Sequence, residues 1–547
     1  MIRFALLSGF FLALSLDEIL DLGLLITVGL SAKNAFLFVL LVVIAFTRAG
    51  ERRQHGLQLP DLHLLFLGLM ALACLGIFYR QFASGYSAAF SLFGELGFVK
   101  GVIADSYLML IVFFYGIASR GMALALTKFI VLVASVMALV TVIDVLGLLN
   151  IGLISYRDDR LEGPLGQANE YAVFLSFFIP FLMLAAINGK GVIVRGLYLL
   201  GALISFALLI QTGSRGGFVS LTGGTVLGAL WLYGGYDTHR AFLWGATVVL
   251  AVVGITGGML AVNEGVRDLV MTRVELSFSG GADQASAGRT WIWMQGLEYQ
   301  LARPWSLAMG FGLGSFTDRI GINPHNAYLN YLFSLGLLGL GLFVTVVLRI
   351  LLIVRQAFFS PVATVEERTV LAALVLGWCA LSIAMVTATI YKAWLFVWPM
   401  TGLCLYLAYC IRAKETEGEG ADLASKAALK RQKAHTFMED GYIFQHPITK
   451  RPYASDKVPR EQFDQVLRAV GIRRRVAYQT RHTFATLALM SGANVLWVSR
   501  QLGHSTMHTT LRVYTKWIDG ADEGSETGKV DQYVSGAPDG FDKTGAS

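Results

Sequence analysis

Charged residues are scarce in this chain. Only 15% of its 547 residues are Asp, Glu, Lys or Arg, whereas soluble domains carry about 25%. Apolar residues make up 55% and the mean hydropathy is +0.60, so a soluble globule would expose more apolar surface than water tolerates. These figures exclude a soluble enzyme, a disordered chain and a disulfide-rich secreted scaffold. They indicate a protein that lives in a lipid bilayer.

Cysteine is equally scarce, and metal-ligand patterns are missing. The four cysteines each lie inside an apolar run, and no two have the spacing of metal ligands: Cys74, Cys379, Cys404 and Cys410. The sequence therefore predicts neither disulfides nor a zinc site. Asp158 and Asp159 look like a metal-binding pair, but the arginines on either side neutralise them, and we interpret the segment as a solvated loop. No metal and no other cofactor is expected.

Long apolar runs fill the first three quarters of the chain. Runs of about 18 to 25 residues follow one another up to residue 411, and each can cross a hydrocarbon core of about 30 Å as a helix. Asp17 and Glu18 interrupt the first run, which we interpret as a bent or divided span that is retained. The predicted fold class is an all-α polytopic membrane protein with about twelve spans, at 5–30, 34–48, 61–78, 101–119, 122–147, 170–188, 193–212, 216–234, 241–262, 326–348, 369–389 and 393–411.

The short loops indicate the orientation. Basic clusters fall on alternate turns, and the positive-inside bias places that side and both termini in the cytoplasm. The other side carries the loop at about 148–169 and a long loop at about 263–325, which is too long for a mere connector and is expected to be a small structured element. We expect the functional site on that side. The basic residues that indicate the cytoplasmic side are Arg48, Arg52, Arg53, Arg120, Lys128, Lys190, Arg195, Arg240, Arg349, Arg355 and Arg368.

Four basic or titratable residues stand out on the predicted outer side: Arg160, Arg215, Arg289 and His325. Taken singly, each is typical of an interfacial anchor or a helix-start hydrogen bonder. Taken together, the arginines suit a pyrophosphate, because a guanidinium stays charged and matches phosphate oxygens bidentately. Arg215 lies in a tight turn that begins a helix, where free backbone N–H groups also favour an anion. A nearby histidine can accept a proton from an attacking hydroxyl near neutral pH.

Several motifs in this region are similar to those of one family. RLEGPLGQANEYA, GSRGGFVSLTGG, GRTWIWMQGLE followed by GFGLGSF, and PHNAYLNYLFSLGLLG occur in this order between about residues 155 and 345. This stretch resembles the O-antigen ligase and polymerase family of bacterial envelopes. The resemblance implies a GT-C-like membrane glycosyltransferase of the inner membrane. It also implies a polysaccharide donor held on undecaprenyl pyrophosphate at the periplasmic face.

The resemblance also implies roles for individual residues. His325 matches the histidine of the H-N motif and would act as the base on the acceptor hydroxyl, with Asn326 beside it among the substrate-binding residues. Arg215 matches the arginine of the S-R turn and would hold the pyrophosphate. Arg160 and Arg289 would share that anion or place the acceptor. In-line attack would invert the anomeric carbon, and no metal is needed because the pyrophosphate lipid is itself the leaving group.

Three readings of the membrane part stay open. A ligase, which we favour, passes the glycan to a sugar hydroxyl of lipid A–core, whereas a polymerase passes it to another lipid-linked repeat unit. The quoted motifs do not separate the two. A polysaccharide transporter would use ionisable residues at mid-depth, and Asp105 and Asp144 fit that description. The basic cluster at one membrane face argues against the transporter.

A second resemblance begins after the last span. Residues 413–424 read as a linker that ends the membrane domain at about residue 412, and 425–520 resemble the end of a tyrosine recombinase, or phage integrase, catalytic domain. The motif-bearing segment is VAYQTRHTFATLALMSGANVLWVSRQLGHSTMHTTLRVYTKWI. The resemblance implies that Arg481 is the second catalytic arginine, His504 the next catalytic position and Tyr514 the nucleophile.

The recombinase part is incomplete. Its first catalytic arginine, its lysine and its DNA-clamping module have no counterpart upstream, and the loss of a phosphate clamp removes several kcal/mol of transition-state stabilisation. We therefore interpret the segment as a vestigial passenger with no functional nucleic-acid partner, followed by a disordered tail at 521–547. A membrane-tethered DNA-binding protein is the remaining alternative, since Arg473, Arg474 and Arg475 form a basic run.

Overall fold

The computed structural model describes most of the membrane part and the helices of the C-terminal part. The chain divides into two compact units, Met1–Gly420 and Ala421–Ser547. The described residues are 2–20, 25–27, 30–49, 59–82, 92–148, 156–157, 160–189, 191–233, 254, 257, 267–268, 271, 288–390, 392–436, 455, 457–469, 473–476, 478–490 and 494–514.

The first unit is built from helices, with two very short antiparallel strand pairs. Its helices are α1 (Ile2–Leu20), α2 (Ala32–Ala49), α3 (Pro60–Phe82), α4 (Leu92–Val99), α5 (Asp105–Tyr115), α6 (Arg120–Val145), α7 (Ala168–Asn188), α8 (Val192–Gln211), α9 (Arg215–Tyr233), α10 (Arg289–Leu301), α11 (Ser306–Met309), α12 (Ser315–Ile320), α13 (Ala327–Phe359), α14 (Val365–Ala384) and the part of α15 (Trp394–Thr436) up to Gly420. A π-helical turn covers Lys100–Ala104, and a 3₁₀ turn covers Gly163–Leu165. The strands are β1 (Leu25–Thr27) with β2 (Leu30–Ser31), and β3 (Tyr156–Arg157) with β4 (Arg160–Leu161).

Nine of the described helical stretches are long and apolar enough to cross a membrane. This confirms an all-α polytopic membrane protein; the count of twelve stays a prediction. The spans in α7, α14 and the first part of α15 are mostly buried, whereas only a third of the residues are buried in the spans of α3 and α8, as in lipid-facing helices. The nine stretches are Asp61–Phe78, Glu95–Tyr115, Arg120–Val145, Ala168–Asn188, Val192–Gln211, Arg215–Tyr233, Ala327–Phe359, Val365–Ala384 and Trp394–Glu415.

Within the first predicted span, 5–30, which we interpret as bent or divided, the described residues form a helix and a short strand pair and not one continuous helix. Helix α1 ends at Leu20, and the β1–β2 pair follows it. The two acidic positions 17 and 18 lie in the last turn of α1. The predicted span at 241–262 lies outside the described residues except at positions 254 and 257, and Arg52, Arg53, Asp158, Asp159, Lys190, Arg240 and the segment 521–547 lie outside them too.

Helices α9 and α14 pack closely because glycines face the contact. A Cβ atom added at Gly224 would lie 2.7 Å from Ala380 Cβ, and one added at Gly228 would lie 2.6 Å from Leu376 Cδ2. The Cβ at Gly224 would also overlap the Ala380 backbone, so the approach there requires glycine, whereas at Gly228 the Leu376 side chain would have to move. The close packing sets the position of the start of α9, where Arg215 lies.

The long helix α13 is broken at Gly336, which has φ 67°. The break leaves two backbone carbonyls without helical partners. Phe333 O accepts a hydrogen bond from Phe311 N (2.9 Å), and Ser334 O accepts one from Gly312 N (2.8 Å). The backbone of the glycine-rich segment GFGLG is thereby hydrogen-bonded to α13 just before the break.

Helix α10 is held against α13 by a buried glutamine and an aromatic cluster. Gln300 Nε2 donates to Ser306 O (3.1 Å) and to Leu332 O (2.9 Å). Around this point Ile292, Phe311, Phe316, Leu329 and Phe333 form a small apolar core of their own. The described end of the long loop, from residue 288 onward, is therefore a folded element attached to the bundle.

The predicted linker and the C-terminal unit are helical where they are described. Residues 413–424 continue α15, which agrees with the Ala, Glu and Lys residues there, and the boundary between the two units falls within them, after Gly420. The second unit contains α16 (Lys457–Ala469), α17 (Tyr478–Met490), α18 (Val495–Gln501) and α19 (Met507–Tyr514).

Candidate active site

The turn between α8 and α9 places Arg215 at the start of a helix. Gly213 has φ 57°, which reverses the chain after Thr212, the last capping residue of α8. Thr212 Oγ1 accepts a hydrogen bond from Ser214 N (3.3 Å), and Ser214 Oγ accepts one from Gly217 N (3.2 Å). Arg215 thus begins α9, at the end of the helix where backbone N–H groups favour an anion.

The guanidinium group of Arg160 hydrogen-bonds to this turn and to α7. Its Nε donates to Thr212 O (2.9 Å), and its Nη2 donates to Asn169 Oδ1 (2.8 Å). The same Asn169 oxygen accepts a hydrogen bond from Ser214 Oγ (3.1 Å). Two of the guanidinium nitrogens are therefore used to shape the turn before Arg215. A direct substrate contact of Arg160 stays a prediction.

His325 has an unusual backbone conformation. Its φ is 48°, and it is the one non-glycine with positive φ among the residues that the structure describes. This left-handed region costs an L-residue about 1–2 kcal/mol. Asn323 Oδ1 accepts hydrogen bonds from His325 N (2.8 Å) and from Thr389 Oγ1 (3.1 Å), and Trp293 Nε1 donates to Pro324 O (2.8 Å). Strained residues that several neighbours hold in place are common at functional sites.

The residues after His325 begin α13. Asn326 Oδ1 accepts a hydrogen bond from Leu329 N (3.0 Å) and caps the helix, while Ala327 N donates to Met385 O (2.8 Å). The Asn326 side-chain oxygen therefore has a structural role. The substrate contact expected of Asn326 stays a prediction.

Arg215, Arg289 and His325 interact electrostatically. Burial and the neighbouring positive charge of Arg215 lower the pKa of Arg289. Burial and the charge of Arg289 lower the pKa of His325 below its ordinary value of 6.5, so the imidazole is neutral at pH 7. The arrangement combines two guanidinium groups with a histidine that can accept a proton. An anion bound between the guanidinium groups would offset their mutual repulsion.

The segment between α14 and α15 joins the two parts of the site. Glu170 is buried, and its Oε2 accepts hydrogen bonds from Lys392 N (2.9 Å) and Ala393 N (3.1 Å), so α7 anchors the start of α15. In the same segment, Thr389 Oγ1 donates to Asn323 Oδ1 in the loop of His325. Thr387 lies against Gly216 in the first turn of α9. The Arg215 turn and the His325 loop therefore share one support.

Sequence reasoning missed three residues that shape the site: Asn169, Trp293 and Asn323. Each lies within or beside one of the motifs, and Trp293 and Asn323 had a usable signal. Trp293 follows Arg289 by four residues, so the two lie on the same face of α10. Asn323 precedes Pro324, and Asn-Pro pairs favour turns in which the Asn side chain bonds to the backbone two residues later.

The recombinase-like residues lie in the second unit. Tyr514 is 2% exposed, and its hydroxyl hydrogen-bonds to His482 Nδ1 (2.9 Å). Burial raises the pKa of Tyr514, although the charge of Arg481 opposes the shift. His504 Nδ1 hydrogen-bonds to Thr510 Oγ1 (2.7 Å), one turn before Tyr514. Arg481, His504 and Tyr514 therefore belong to one small helical cluster, with the hydroxyl turned inward.

Two parts of the chain are similar to known proteins. Residues 200–344 match the family described as O-Antigen ligase, a region that includes Arg215, Arg289 and His325. Among curated proteins, the chain is 39% identical over 70 residues to prophage integrase IntR of Escherichia coli K12, which covers 13% of this chain and 17% of that protein. It is 31% identical over 83 residues to the putative defective protein IntQ of the same organism, over 14% of this chain and 21% of that protein.

These matches confirm both resemblances. Residues 200–344 of the membrane part match the model of the O-Antigen ligase family. The chain also contains an integrase-related portion, which spans about a fifth of the length of the two integrase relatives. Of the described residues, no group of three or more His, Cys, Asp or Glu is arranged to hold a metal ion.

Proposed function

We propose that the membrane unit is an inverting, metal-independent O-antigen ligase of the bacterial inner membrane. It would move polysaccharide from undecaprenyl pyrophosphate to a sugar hydroxyl of lipid A–core at the periplasmic face, with both termini in the cytoplasm. One observation carries the proposal. The segment between α14 and α15 contacts both the turn of Arg215 and the loop of His325, which lie within the region that matches the O-Antigen ligase family, and the charge of Arg289 lowers the pKa of His325 there.

The geometry supports a direct displacement. Arg215 and Arg289 would bind the donor diphosphate and stabilise the negative charge that develops on it as it leaves. His325 Nδ1 or Nε2 would accept the proton of the acceptor hydroxyl as its oxygen attacks the anomeric carbon. The new C–O bond forms as the bond to the diphosphate oxygen breaks, and the configuration at the anomeric carbon inverts. The leaving group departs as an anion that the two guanidinium groups already neutralise, so this step needs no metal.

A lipid-linked polymerase is the second candidate, since the same site would serve an acceptor sugar on another repeat unit. The transporter reading has less support. Asp105, one of its two key acids, forms an ion pair with Lys100 at 2.9 Å. The arginines and the histidine lie at helix ends and in adjoining loops, whereas transport sites lie near mid-depth.

The test is transfer in vitro with the full chain in lipid nanodiscs. The donor is undecaprenyl-pyrophosphate glycan, the acceptor is lipid A–core, and EDTA is present. His325→Ala is compared with His508→Ala, a substitution of an exposed histidine in the second unit, and Arg215→Ala with Arg195→Ala, at the other end of the neighbouring helix α8.

Each outcome decides between readings. Transfer to lipid A–core that survives EDTA and both control substitutions but is lost with His325→Ala and Arg215→Ala supports the ligase. Donor chains that lengthen when repeat units are mixed, without transfer to lipid A–core, favour the polymerase. If neither reaction occurs, the result contradicts the glycosyltransferase proposal and favours the transporter.

For the second unit we propose a passenger without a nucleic-acid function, left by insertion of a mobile element into the 3′ end of a ligase gene. The buried Tyr514 hydroxyl and its raised pKa support an inactive nucleophile. A nicking assay on attachment-site DNA tests this proposal, with Tyr514→Phe as the control. Strand cleavage that depends on Tyr514 would overturn it.

A further inference from the structure

The peptide unit between Pro324 and His325 is held at both of its polar ends. Its carbonyl oxygen accepts the Trp293 indole N–H at 2.8 Å, and its N–H donates to Asn323 Oδ1 at 2.8 Å. A peptide unit is planar, so two fixed ends fix the whole plane. Trp293 comes from α10, whereas Asn323 belongs to the loop itself.

The next part of the chain is equally fixed. Asn326 caps α13 through Leu329 N, and Ala327 N is bonded to Met385 O. His325 therefore joins two immobilised segments, and its φ of 48° is the conformation that connects them. Removal of one bond would let this residue relax to the ordinary negative-φ region, which would turn the imidazole to another direction.

Trp293 also belongs to the helix that carries a donor-site cation. Arg289 is four residues earlier on α10, so both side chains project from one face of the helix. Gln300 and the apolar cluster fasten this helix to α13. One rigid helix thus contributes Arg289 to the anion site and the Trp293 N–H to the His325 loop.

We propose that Trp293 is a positioning residue, whose indole N–H aims His325 at the acceptor hydroxyl and ties the base to the donor-binding helix. Asn323 holds the other end of the same peptide. The inference rests on the proposed function for the role of His325 as a base, whereas the role of the Trp293 bond in holding the loop can be tested without activity.

The decisive variant is Trp293→Phe, which keeps an aromatic ring but loses the N–H donor. Its matched control is Trp291→Phe, because Trp291 is on the same helix and 51% exposed. We expect Trp293→Phe to lower kcat about tenfold while KM for the donor changes less than twofold. Trp291→Phe should leave both constants unchanged. A Trp293→Phe variant with wild-type kcat, or with only KM raised, would overturn the proposal.

A double variant separates positioning from general damage. Trp293 and Asn323 hold one peptide, so Trp293→Phe combined with Asn323→Ala should lose little more than the stronger single variant. If the fold losses in kcat of the two single variants multiply in the double variant, the two residues act independently, which would contradict a shared role. Rescue of His325→Gly by free imidazole gives a second test. Free imidazole is not attached to the loop, so the hydrogen bond from Trp293 cannot position it. If imidazole restores transfer, Trp293→Phe should not reduce the restored rate; a further tenfold loss there would also contradict the proposal.

Hydrogen exchange of the segment 321–330 completes the test and does not depend on catalysis. The segment should exchange faster in Trp293→Phe than in wild type and Trp291→Phe. If the wild-type protein transfers no glycan, the proposed function fails, but this exchange difference still tests the holding role. Equal exchange in all three proteins would overturn it.

Discussion

Gly216 is the residue at which a single added methyl group should disturb the candidate site most directly. It lies in the first turn of α9, next to Arg215. A Cβ atom at this position would overlap Thr387 Oγ1 and would lie 3.3 Å from Thr387 Cβ. Thr387 Oγ1 is hydrogen-bonded to Ala384 O (3.3 Å), so its side chain already has a defined place. Gly216→Ala must therefore rotate the Thr387 side chain out of this hydrogen bond, or displace the start of α9 or the segment between α14 and α15.

The expected magnitude follows from two opposing effects. Overpacking a tight contact costs about 1–3 kcal/mol. Replacing a helical glycine by alanine returns up to about 1 kcal/mol. We expect a net loss of about 1–2 kcal/mol in the free energy of unfolding for Gly216→Ala. Thr387→Ala removes the overlapping oxygen and one long hydrogen bond, which alone costs about 0.5–1 kcal/mol. The double variant should recover at least about 1 kcal/mol of coupling energy relative to the sum of the two single losses.

The measurement is a double-variant cycle, with thermal unfolding and glycan transfer recorded for each purified protein. Gly341→Ala is the matched control, because a Cβ there meets nothing within 4 Å in the middle of α13. Transfer should fall in Gly216→Ala, since Arg215 moves with the turn, and should rise again when Thr387→Ala is added. Purely additive losses in unfolding would refute the overlap, and with it the close approach of α9 to the segment that supports His325.

Three further predictions concern the charges and the second unit. The acid limb of the kcat/KM profile should lie below pH 6.5, because His325 must be neutral to act as a base and its pKa is lowered. Arg289→Gln removes one cause of the lowered pKa and leaves the other, burial. The acid limb should therefore move to higher pH in this variant. An unmoved limb would mean that another group titrates. Arg215→Lys should lose transfer at least about tenfold, nearly as Arg215→Ala does, because an ammonium lacks the bidentate fork; full activity would contradict a bidentate contact. A chain ending at Glu415 should keep wild-type transfer, and loss of transfer would assign a role to the second unit.

Much of the architecture follows from local sequence. A run of about 20 apolar residues must satisfy its backbone hydrogen bonds internally in lipid, so it forms a helix whatever its neighbours are. The predicted span at 170–188 corresponds to α7, and that at 193–212 to α8, within one or two residues at each end. Apolar content alone does not locate the end of a helix: in the first predicted span, interpreted as bent or divided, only the structure shows that α1 ends at Leu20.

The site was only partly predictable. The motifs pointed to Arg215, Arg289 and His325 as candidates, and the structure adds that the charge of Arg289 acts on His325 and that of Arg215 on Arg289. The holding role of Arg160 could not be read from its motif. Its bond to Thr212 joins residues 52 positions apart, and that bond exists only because β4 lies against the end of α8.

The amino-acid sequence by itself determined that this protein crosses a membrane, that two unrelated segments are joined in it, and which basic residues mark one end of the bundle. These properties depend on composition and on short motifs, which act locally. Only the tertiary structure decided that His325 adopts a left-handed conformation and that α13 breaks at Gly336. Both features depend on hydrogen bonds from distant parts of the chain, Trp293 to Pro324 and Phe311 to Phe333, which form only once the helices have packed.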